Sequence, residues 1–286
     1  MEISGRVARL RLGRAKHGDD GGADGFGSMR QGDRTAVRTR LARLQCAVAL
    51  AALVAGPSPA GAIVQGQDNP ALSRQAVMVL GSRGGFCSGV VLAPTIVLTA
   101  GHCVTGASDY RVHYKAPGGE PVLLEPAAIA VHPGFVTGAT KQHKKSVDLG
   151  LVRLRTPLPA AFTPAALGDA APRAGERLTV GGYGLGRDGQ AATGGTFRSA
   201  DLSVIEPYGQ STVLVWLTDP ATGRSRNGSG ACGGDSGGPI FGPDGRVVAV
   251  TAFAEGAGAS RCGALTQGVL VGPQRDWIDR VVAGWR

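Results

Sequence analysis

Residues Cys232-Gly233-Gly234-Asp235-Ser236-Gly237-Gly238-Pro239 are the stretch of this chain that decides its fold. They place a serine in a G-x-S-x-G pattern, which alone is weak because a Gly-rich loop can also be a linker or a phosphate cradle. Two earlier segments strengthen it: Val97–Cys103 (VLTAGHC) carries a histidine, and Ser146–Leu154 (SVDLGLVRL) carries an aspartate before an apolar run. A serine hydroxyl is a poor nucleophile until a base takes its proton, so these residue types together indicate nucleophilic catalysis.

The three segments, in the order His, Asp, Ser, resemble the motifs of the chymotrypsin/trypsin-like serine peptidases. The resemblance covers essentially all of residues 63–286 and is to secreted members of the bacterial type with two disulfides. It implies an all-β fold of two six-stranded antiparallel β-barrels packed together. The active site would lie between the barrels, and a C-terminal α-helix would follow them.

The resemblance also implies a role for each member of the site. His102 would be the general base and then the general acid. Asp148 would hold the imidazole in the correct tautomer, and Ser236 would be the nucleophile that forms an acyl-enzyme. The backbone N–H groups of Gly234 and Ser236 would form the oxyanion hole.

The pattern of the chain supports this fold class independently. Many short β-rich runs alternate with Gly, Pro, Asn and Asp turns, as in an antiparallel barrel or sandwich. We predict strands over Ala76–Leu80, Val90–Leu92, Ile96–Thr99, Leu149–Leu154, Arg177–Val180, Thr212–Leu217 and Val247–Thr251. Only Gln274–Trp285 predicts a helix, with an apolar stripe at helical spacing that favours core packing over a partner site.

Composition and charge exclude several other classes. The chain has 286 residues, 43% of them hydrophobic and 18% charged, which is typical of a globular protein. The formal net charge is +9, but residues 1–62 hold 10 Lys/Arg against 5 Asp/Glu. The remaining 20 Lys/Arg against 16 Asp/Glu leave +4, which argues against a dedicated nucleic-acid binder. No apolar stretch reaches the length of a membrane span.

The first 62 residues have the character of a leader. Residues 1–28 are rich in Gly, Asp and Arg, and we expect them to be disordered or an upstream extension, with translation starting at Met29. Residues 29–62 predict a signal peptide, because a basic front precedes a short apolar run and an A-x-A cleavage site ends at Ala62. A buried core helix with a basic flank is the alternative. The peptidase-like domain is expected over residues 63–286, and the mature protein is expected to be secreted.

Cysteine usage agrees with export. Cys46 lies in the leader, so Cys87, Cys103, Cys232 and Cys262 remain after cleavage. An even number in a secreted chain favours two disulfides, with three pairings open from the residues alone. A zinc site is disfavoured because no pair has the C-x₂₋₄-C spacing. The family resemblance implies the pairs Cys87–Cys103 and Cys232–Cys262.

The resemblance further implies how the domain is activated. Family members expose an Ile-Val N-terminus whose α-amine pairs with the acid before the nucleophile, here Ile63 and Asp235. The residue before Ile63 is Ala62 rather than Arg or Lys. We therefore expect signal peptidase itself to create the activating N-terminus.

The substrate pocket is also assigned by resemblance. Gly230 would be its base with Ala231 beside it, Ala252-Phe253-Ala254 would line the cleft, and Gly268 and Ala254 would form the walls. An uncharged, fairly open pocket predicts an apolar P1 residue of the Leu, Met or Phe type. Ala254 would narrow the pocket towards smaller side chains. Ala252 lacks a hydroxyl, so a hydrogen bond that the family pattern gives to Asp148 is in doubt.

Three further expectations concern partners. We expect the substrate to be a protein or peptide. We do not expect the protein to bind nucleic acid, or a membrane once the signal peptide is removed. We also expect a monomer that needs no cofactor or metal. The basic segment Lys141–Lys145 is read as a solvated loop, with a preference for acidic substrate residues as the sharper hypothesis. The rivals are a catalytically silent homologue that acts as a secreted binding protein, and a basic binder of polyanions.

Overall fold

The computed structural model of this chain describes residues 63–139 and 145–285. The expected upstream extension and signal peptide, residues 1–62, lie outside the described residues, and so does most of the basic segment, residues 141–144. Within the described ranges the predicted all-β architecture of two barrel-like sheets with a C-terminal helix is confirmed.

The first barrel follows a short strand β1 (Gln67–Asp68) and a one-turn helix α1 (Pro70–Ser73). Its strands are β2 (Ala76–Gly81), β3 (Phe86–Ala93), β4 (Ile96–Thr99), β5 (Tyr110–Lys115), β6 (Pro121–Leu124), β7 (Pro126–Val131) and β8 (Gly150–Leu154). They pair in the order β6-β5-β2-β3-β4-β8-β7. The edge strands β6 and β7 are joined through Glu125 but do not pair with each other, so this sheet curls into a half-barrel without closing.

The second barrel closes completely through six strands. They are β9 (Arg177–Gly182), β10 (Arg198–Ile205), β11 (Leu214–Thr218), β12 (Pro239–Phe241), β13 (Val247–Glu255) and β14 (Leu265–Leu270). The order β10-β11-β14-β13-β12-β9 returns to β10, because β9 also pairs with β10. β1 adds to β10 on the outside, so the start of the domain is fastened to this barrel.

Each barrel has its own apolar core. Strand side chains alternate between the two faces of a sheet, so β2 turns Val77 and Val79 into the first core together with Val97 and Val152. In the second barrel the core includes the fully buried Leu178, Val180, Leu202, Leu217 and Ile240.

A third apolar cluster joins the barrels to the C-terminal helix. It combines Leu98 and Leu149 of the first barrel with Phe241 and Val250 of the second. Helix α2 (Arg275–Ala283) buries Trp277 and Ile278 in the same cluster, and Val281, Val282 and Trp285 pack against it. The predicted stripe is therefore a core face. No helix of residues 63–139 and 145–285 is long and apolar enough to cross a membrane.

Candidate active site

His102 and Asp148 are brought together by the pairing of β4 with β8. His102 lies in the 3-10 turn Gly101–Val104 directly after β4, and Asp148 lies two residues before β8. The Asp148 carboxylate accepts two hydrogen bonds from His102, one from its main-chain N–H at 2.8 Å and one from ring Nδ1 at 2.6 Å. A Cβ on Gly101 would lie 3.1 Å from Asp148 Oδ1, so any larger residue would press on this carboxylate.

Ser236 lies on the loop that precedes β12, and its backbone is held against the first barrel. Its carbonyl accepts a hydrogen bond from Ser88 N–H at 2.8 Å and lies 3.7 Å from Cys103 Sγ, next to His102. Among the described residues no hydrogen bond joins Ser236 Oγ to His102 Nε2, which lies 3.7 Å from Cys103 Sγ. Such bonds are often long in free enzymes and shorten when substrate binds.

Two backbone N–H groups in the loop around Gly234 make no hydrogen bond to the described protein. In the part of the chain that the structure describes, neither Gly234 N–H nor Ser236 N–H donates to a protein group, whereas their neighbours Asp235 and Gly237 do. Gly234 has a φ of +95°, and a Cβ there would lie 2.2 Å from Phe86 Cε2. Only glycine fits this position without strain.

Asp235 is completely buried beside the first residue of the domain. Its carboxylate accepts hydrogen bonds from Gly184 N–H at 2.7 Å and Cys232 N–H at 2.9 Å. The main-chain nitrogen of Ile63, itself fully buried, donates a third. Burial outweighs these bonds and raises the pKa of Asp235 to about 7. The next residue, Val64, is held in place as well, because it exchanges backbone hydrogen bonds with Gly230.

The four cysteines within the described residues form two disulfides, with the pairing that the family resemblance implies. Cys87–Cys103 joins β3 to the turn of His102, and Cys232–Cys262 joins the Ser236 loop to the loop before β14. The described His, Cys, Asp and Glu side chains come close enough to share a metal ion in two places. Each place includes a disulfide pair, whose sulfurs are not thiolates.

Three of the expected pocket residues, Gly230, Ala231 and Ala254, lie together in the second barrel. Gly230 and the buried Ala231 lie beside Thr266, whose hydroxyl accepts a hydrogen bond from Ala231 N–H at 2.9 Å. Ala254 is the cross-strand partner of Thr266, and Phe253 is the partner of Gln267. Thr266 therefore faces the position assigned to the pocket base, and sequence reasoning missed it.

Gly268 does not lie with the other pocket residues, which corrects its assignment as a pocket wall. A Cβ there would lie 2.5 Å from Ile240 Cδ1 and 3.2 Å from Ala249 Cβ, inside the core of the second barrel. A β-bulge between Thr251 and Phe253 sets the register of β13 on β14. Thr266, two residues earlier on the same face of β14, lies beside Gly230 and Ala231 instead.

Near the site, one expected hydroxyl is missing at Ala252 and one hydroxyl, that of Thr251, is unpaired among the described residues. Ala252 gives Asp148 no donor, so within the described chain both hydrogen bonds to that carboxylate come from His102. The neighbouring Thr251 is buried, and its Oγ1 has no hydrogen-bond partner among the described residues.

The sequence of this chain is similar to those of known serine peptidases. A sequence model of the family described as Trypsin matches residues 63–278. Scolexin B of Heliothis virescens is 31% identical over 226 residues, covering 69% of this chain and 75% of its own length. Brachyurin of Leptuca pugilator is 28% identical over 181 residues, which cover 60% of this chain and 77% of brachyurin.

Solved structures share the fold. Neuropsin, described as a serine protease expressed in the limbic system of mouse brain, superimposes with a TM-score of 0.63 at 21% identity. The match covers 77% of this chain and all of the neuropsin chain. These relatives come from a moth, a crab and a mouse, so they do not support the bacterial type expected from the sequence.

Proposed function

This chain belongs to the trypsin family of serine peptidases, and on that premise we propose that it is a secreted serine endopeptidase. The observation that carries the proposal is the double hydrogen bond from His102 to the Asp148 carboxylate, with Ser236 on the adjoining loop. Proteins of this family act on protein or peptide substrates, and a monomer suffices because all three groups come from one chain.

The proposed chemistry begins with proton transfer. An Nδ1–H that donates to Asp148 leaves the imidazole lone pair on Nε2, where it can take the Ser236 proton during attack on the peptide carbonyl. His102 then gives that proton to the leaving amine, and the acyl-enzyme remains on Ser236 Oγ. Water, activated by the same imidazole, hydrolyses the ester and restores the serine.

Charge that develops on the carbonyl oxygen needs donors already in place. The unpaired N–H groups of Gly234 and Ser236 support this role, because preorganised donors stabilise the tetrahedral oxyanion without reorganisation. Loss of one such donor costs about 3 kcal/mol in the barrier of comparable enzymes.

The pocket supports an uncharged and small P1 residue. Gly230, Ala231 and Ala254 carry no charge, so they offer no partner to Arg or Lys. The buried Thr266 adds bulk beside Gly230, where a Cβ would already lie 3.4 Å from its Oγ1. We therefore expect Ala or Val at P1 ahead of Leu, Met or Phe.

Activation is proposed to follow from cleavage after Ala62. Ile63 has a φ of +53°, a left-handed conformation that costs a branched residue roughly 1–2 kcal/mol. That angle exists only while Ala62 is attached, so cleavage removes the strain. The same cut converts the Ile63 amide into an ammonium beside Asp235, which supplies the cation that a buried carboxylate requires. Export would thus activate the enzyme without a second protease.

A catalytically weak or silent homologue that acts as a secreted binding protein is the second candidate. Two observations favour it: Ser236 Oγ makes no hydrogen bond to His102 Nε2 within the described residues, and Ala252 gives Asp148 no donor. Against it, both the serine and the histidine are retained.

The deciding experiment is the intact mass of the secreted protein before and after a fluorophosphonate, with Ser236→Ala as control. We expect the mass of residues 63–286 less four hydrogens, plus one adduct that is absent in the variant. The correct mass without an adduct would favour the binding homologue. A different N-terminus on labelled protein would refute activation by signal peptidase alone.

A further inference from the structure

Ser88 connects the first barrel to the loop of the nucleophile. It lies on β3, is 0% exposed, and all its polar atoms are hydrogen-bonded; its carbonyl accepts from the Thr99 hydroxyl at 2.8 Å. Its N–H donates to Ser236 O at 2.8 Å, and its hydroxyl donates to Gly234 O at 2.9 Å. The same hydroxyl accepts a hydrogen bond from Tyr183 N–H of the second barrel at 2.9 Å.

The hydroxyl of Ser88 fixes the orientation of the peptide group that follows Gly234. The carbonyl of this group is bound by Ser88, and its N–H, on Asp235, donates to Cys232 O at 3.1 Å. The preceding peptide is held at one end only, because Gly233 O accepts from Leu185 N–H at 2.8 Å while Gly234 N–H has no partner in the described chain.

Gly234 has no Cβ, so its own backbone has little intrinsic preference for one conformation. Glycine reaches left-handed and right-handed conformations at similar cost, so the backbone here can turn its N–H away from the substrate. The side chain of Phe86 packs on one face of Gly234 but makes no directional bond to it. The Ser88 hydroxyl therefore holds the C-terminal side of Gly234, and the Leu185 N–H holds the peptide that carries the Gly234 N–H. Together they fix Gly234 from both sides, and Ser88 is the side chain that takes part.

We propose that Ser88 is a positioning residue for the oxyanion hole. Its hydroxyl holds Gly234 in the conformation that directs the two N–H groups at the developing oxyanion, and it makes this conformation depend on contact between the barrels. The inference rests on the proposed peptidase function.

The test compares Ser88→Ala with Tyr183→Phe in secreted, fully processed protein. Tyr183 Oη donates to Ala76 O at 3.2 Å, so its loss also removes a half-buried hydroxyl bond between the barrels but touches nothing in the Gly234 loop. Each protein is assayed for kcat and KM on a peptide anilide, and for inhibition by a trifluoromethyl ketone of the same peptide sequence. The ketone forms a hemiketal whose oxyanion occupies the hole.

We expect Ser88→Ala to lower kcat by about tenfold, less than the 10²–10³ caused by loss of a whole donor, and to leave KM within about twofold. The inhibition constant of the ketone should rise by the same factor as kcat falls, since only oxyanion binding changes. Tyr183→Phe should change both quantities by less than about twofold.

A kcat for Ser88→Ala within twofold of the Tyr183→Phe value would overturn the inference, and so would a lower kcat with unchanged ketone affinity. If the alanine variant does not accumulate, Ser88→Thr can be compared with Ser88→Val. These two side chains have the same shape, and only threonine keeps the hydroxyl. The threonine enzyme should then have the higher kcat, and equal values would refute the role. A wild-type protein that takes no fluorophosphonate would instead refute the peptidase function, and this inference with it.

Discussion

The Asp235 carboxylate and the main-chain nitrogen of Ile63 are hydrogen-bonded to each other in a space closed to solvent, both residues being 0% exposed. With Ala62 attached, this nitrogen is a neutral amide and cannot balance a negative charge. Burial accordingly raises the pKa of Asp235 to about 7. The carboxyl group of the uncleaved chain is therefore largely neutral in mildly acidic solution, and cleavage changes what it faces.

The raised pKa predicts that the uncleaved chain loses stability as the pH rises. In the unfolded chain Asp235 ionises near its ordinary value of 3.8, whereas in the folded chain it keeps its proton until the pH approaches 7. The folded state thus binds one more proton between these values, and its stability is lost across that window as pH increases. Urea unfolding of the full chain carrying Ser236→Ala, measured from pH 4 to 8, should show this slope.

Two companion proteins check the cause of that slope. Adding Asp235→Asn, which cannot ionise, should flatten the profile between pH 4 and 7. The cleaved protein should also show a smaller loss, because the Ile63 ammonium favours the ionised carboxylate. Equal slopes in all three proteins would mean that another group titrates.

Replacing Asp148 with Asn should nearly abolish turnover while the fold persists. The amide can no longer accept both His102 hydrogen bonds in the tautomer that leaves Nε2 unprotonated, so kcat should fall by about 10⁴. Steady-state kinetics on a peptide ester, with circular dichroism as the control for folding, checks the prediction. A decrease below tenfold would argue against a triad that includes this carboxylate.

Thr266 is expected to restrict the P1 residue. Thr266→Gly should raise the ratio of kcat/KM for Leu or Phe over Ala at P1 by about tenfold or more, since a few methyl groups in an apolar pocket carry this much discrimination. A panel of peptides that differ only at P1 measures the ratio. Gly268→Ala serves as the contrast: its added methyl would meet the barrel core, so it should lower stability without shifting the P1 preference.

The hydroxyl of Thr251 should lower the stability of the folded protein. It is buried without a partner among the described residues, so Thr251→Val, which keeps the shape, should stabilise the fold by about 1 kcal/mol. Thr266→Val is the matched control, because that hydroxyl accepts from Ala231 N–H and its loss should destabilise by a similar amount. Thermal unfolding of both variants tests the opposite signs.

Much of the fold could be predicted because the relevant signals are local. Ile96–Thr99 is a strand with the predicted bounds, and the predicted run Leu149–Leu154 begins one residue before β8. Both are short apolar runs bounded by turn residues, a pattern that depends on few neighbours. The C-terminal helix shows its 3.6-residue period in Trp277, Ile278 and Val281, so its buried face was also predictable.

The details of the pocket could not be predicted from the sequence because they depend on register. Thr266 rather than Gly268 lies beside Gly230, owing to a bulge in β13 and to the length of the loop before β14. Neither leaves a signal in the local sequence. Ser88 was overlooked for a similar reason: its partners Tyr183 and Gly234 are distant in the chain, and a serine in a strand has no distinctive pattern.

The division of the site between two barrels has one more consequence. His102 and Asp148 belong to the first barrel and Ser236 to the second, and Ser88 bridges the seam between them. Sliding one barrel against the other by the length of a hydrogen bond would disengage these groups while leaving nearly every strand pairing intact. Under gentle heating or low denaturant, inactivation should therefore precede unfolding, so that protein with an unchanged far-ultraviolet spectrum is already without activity.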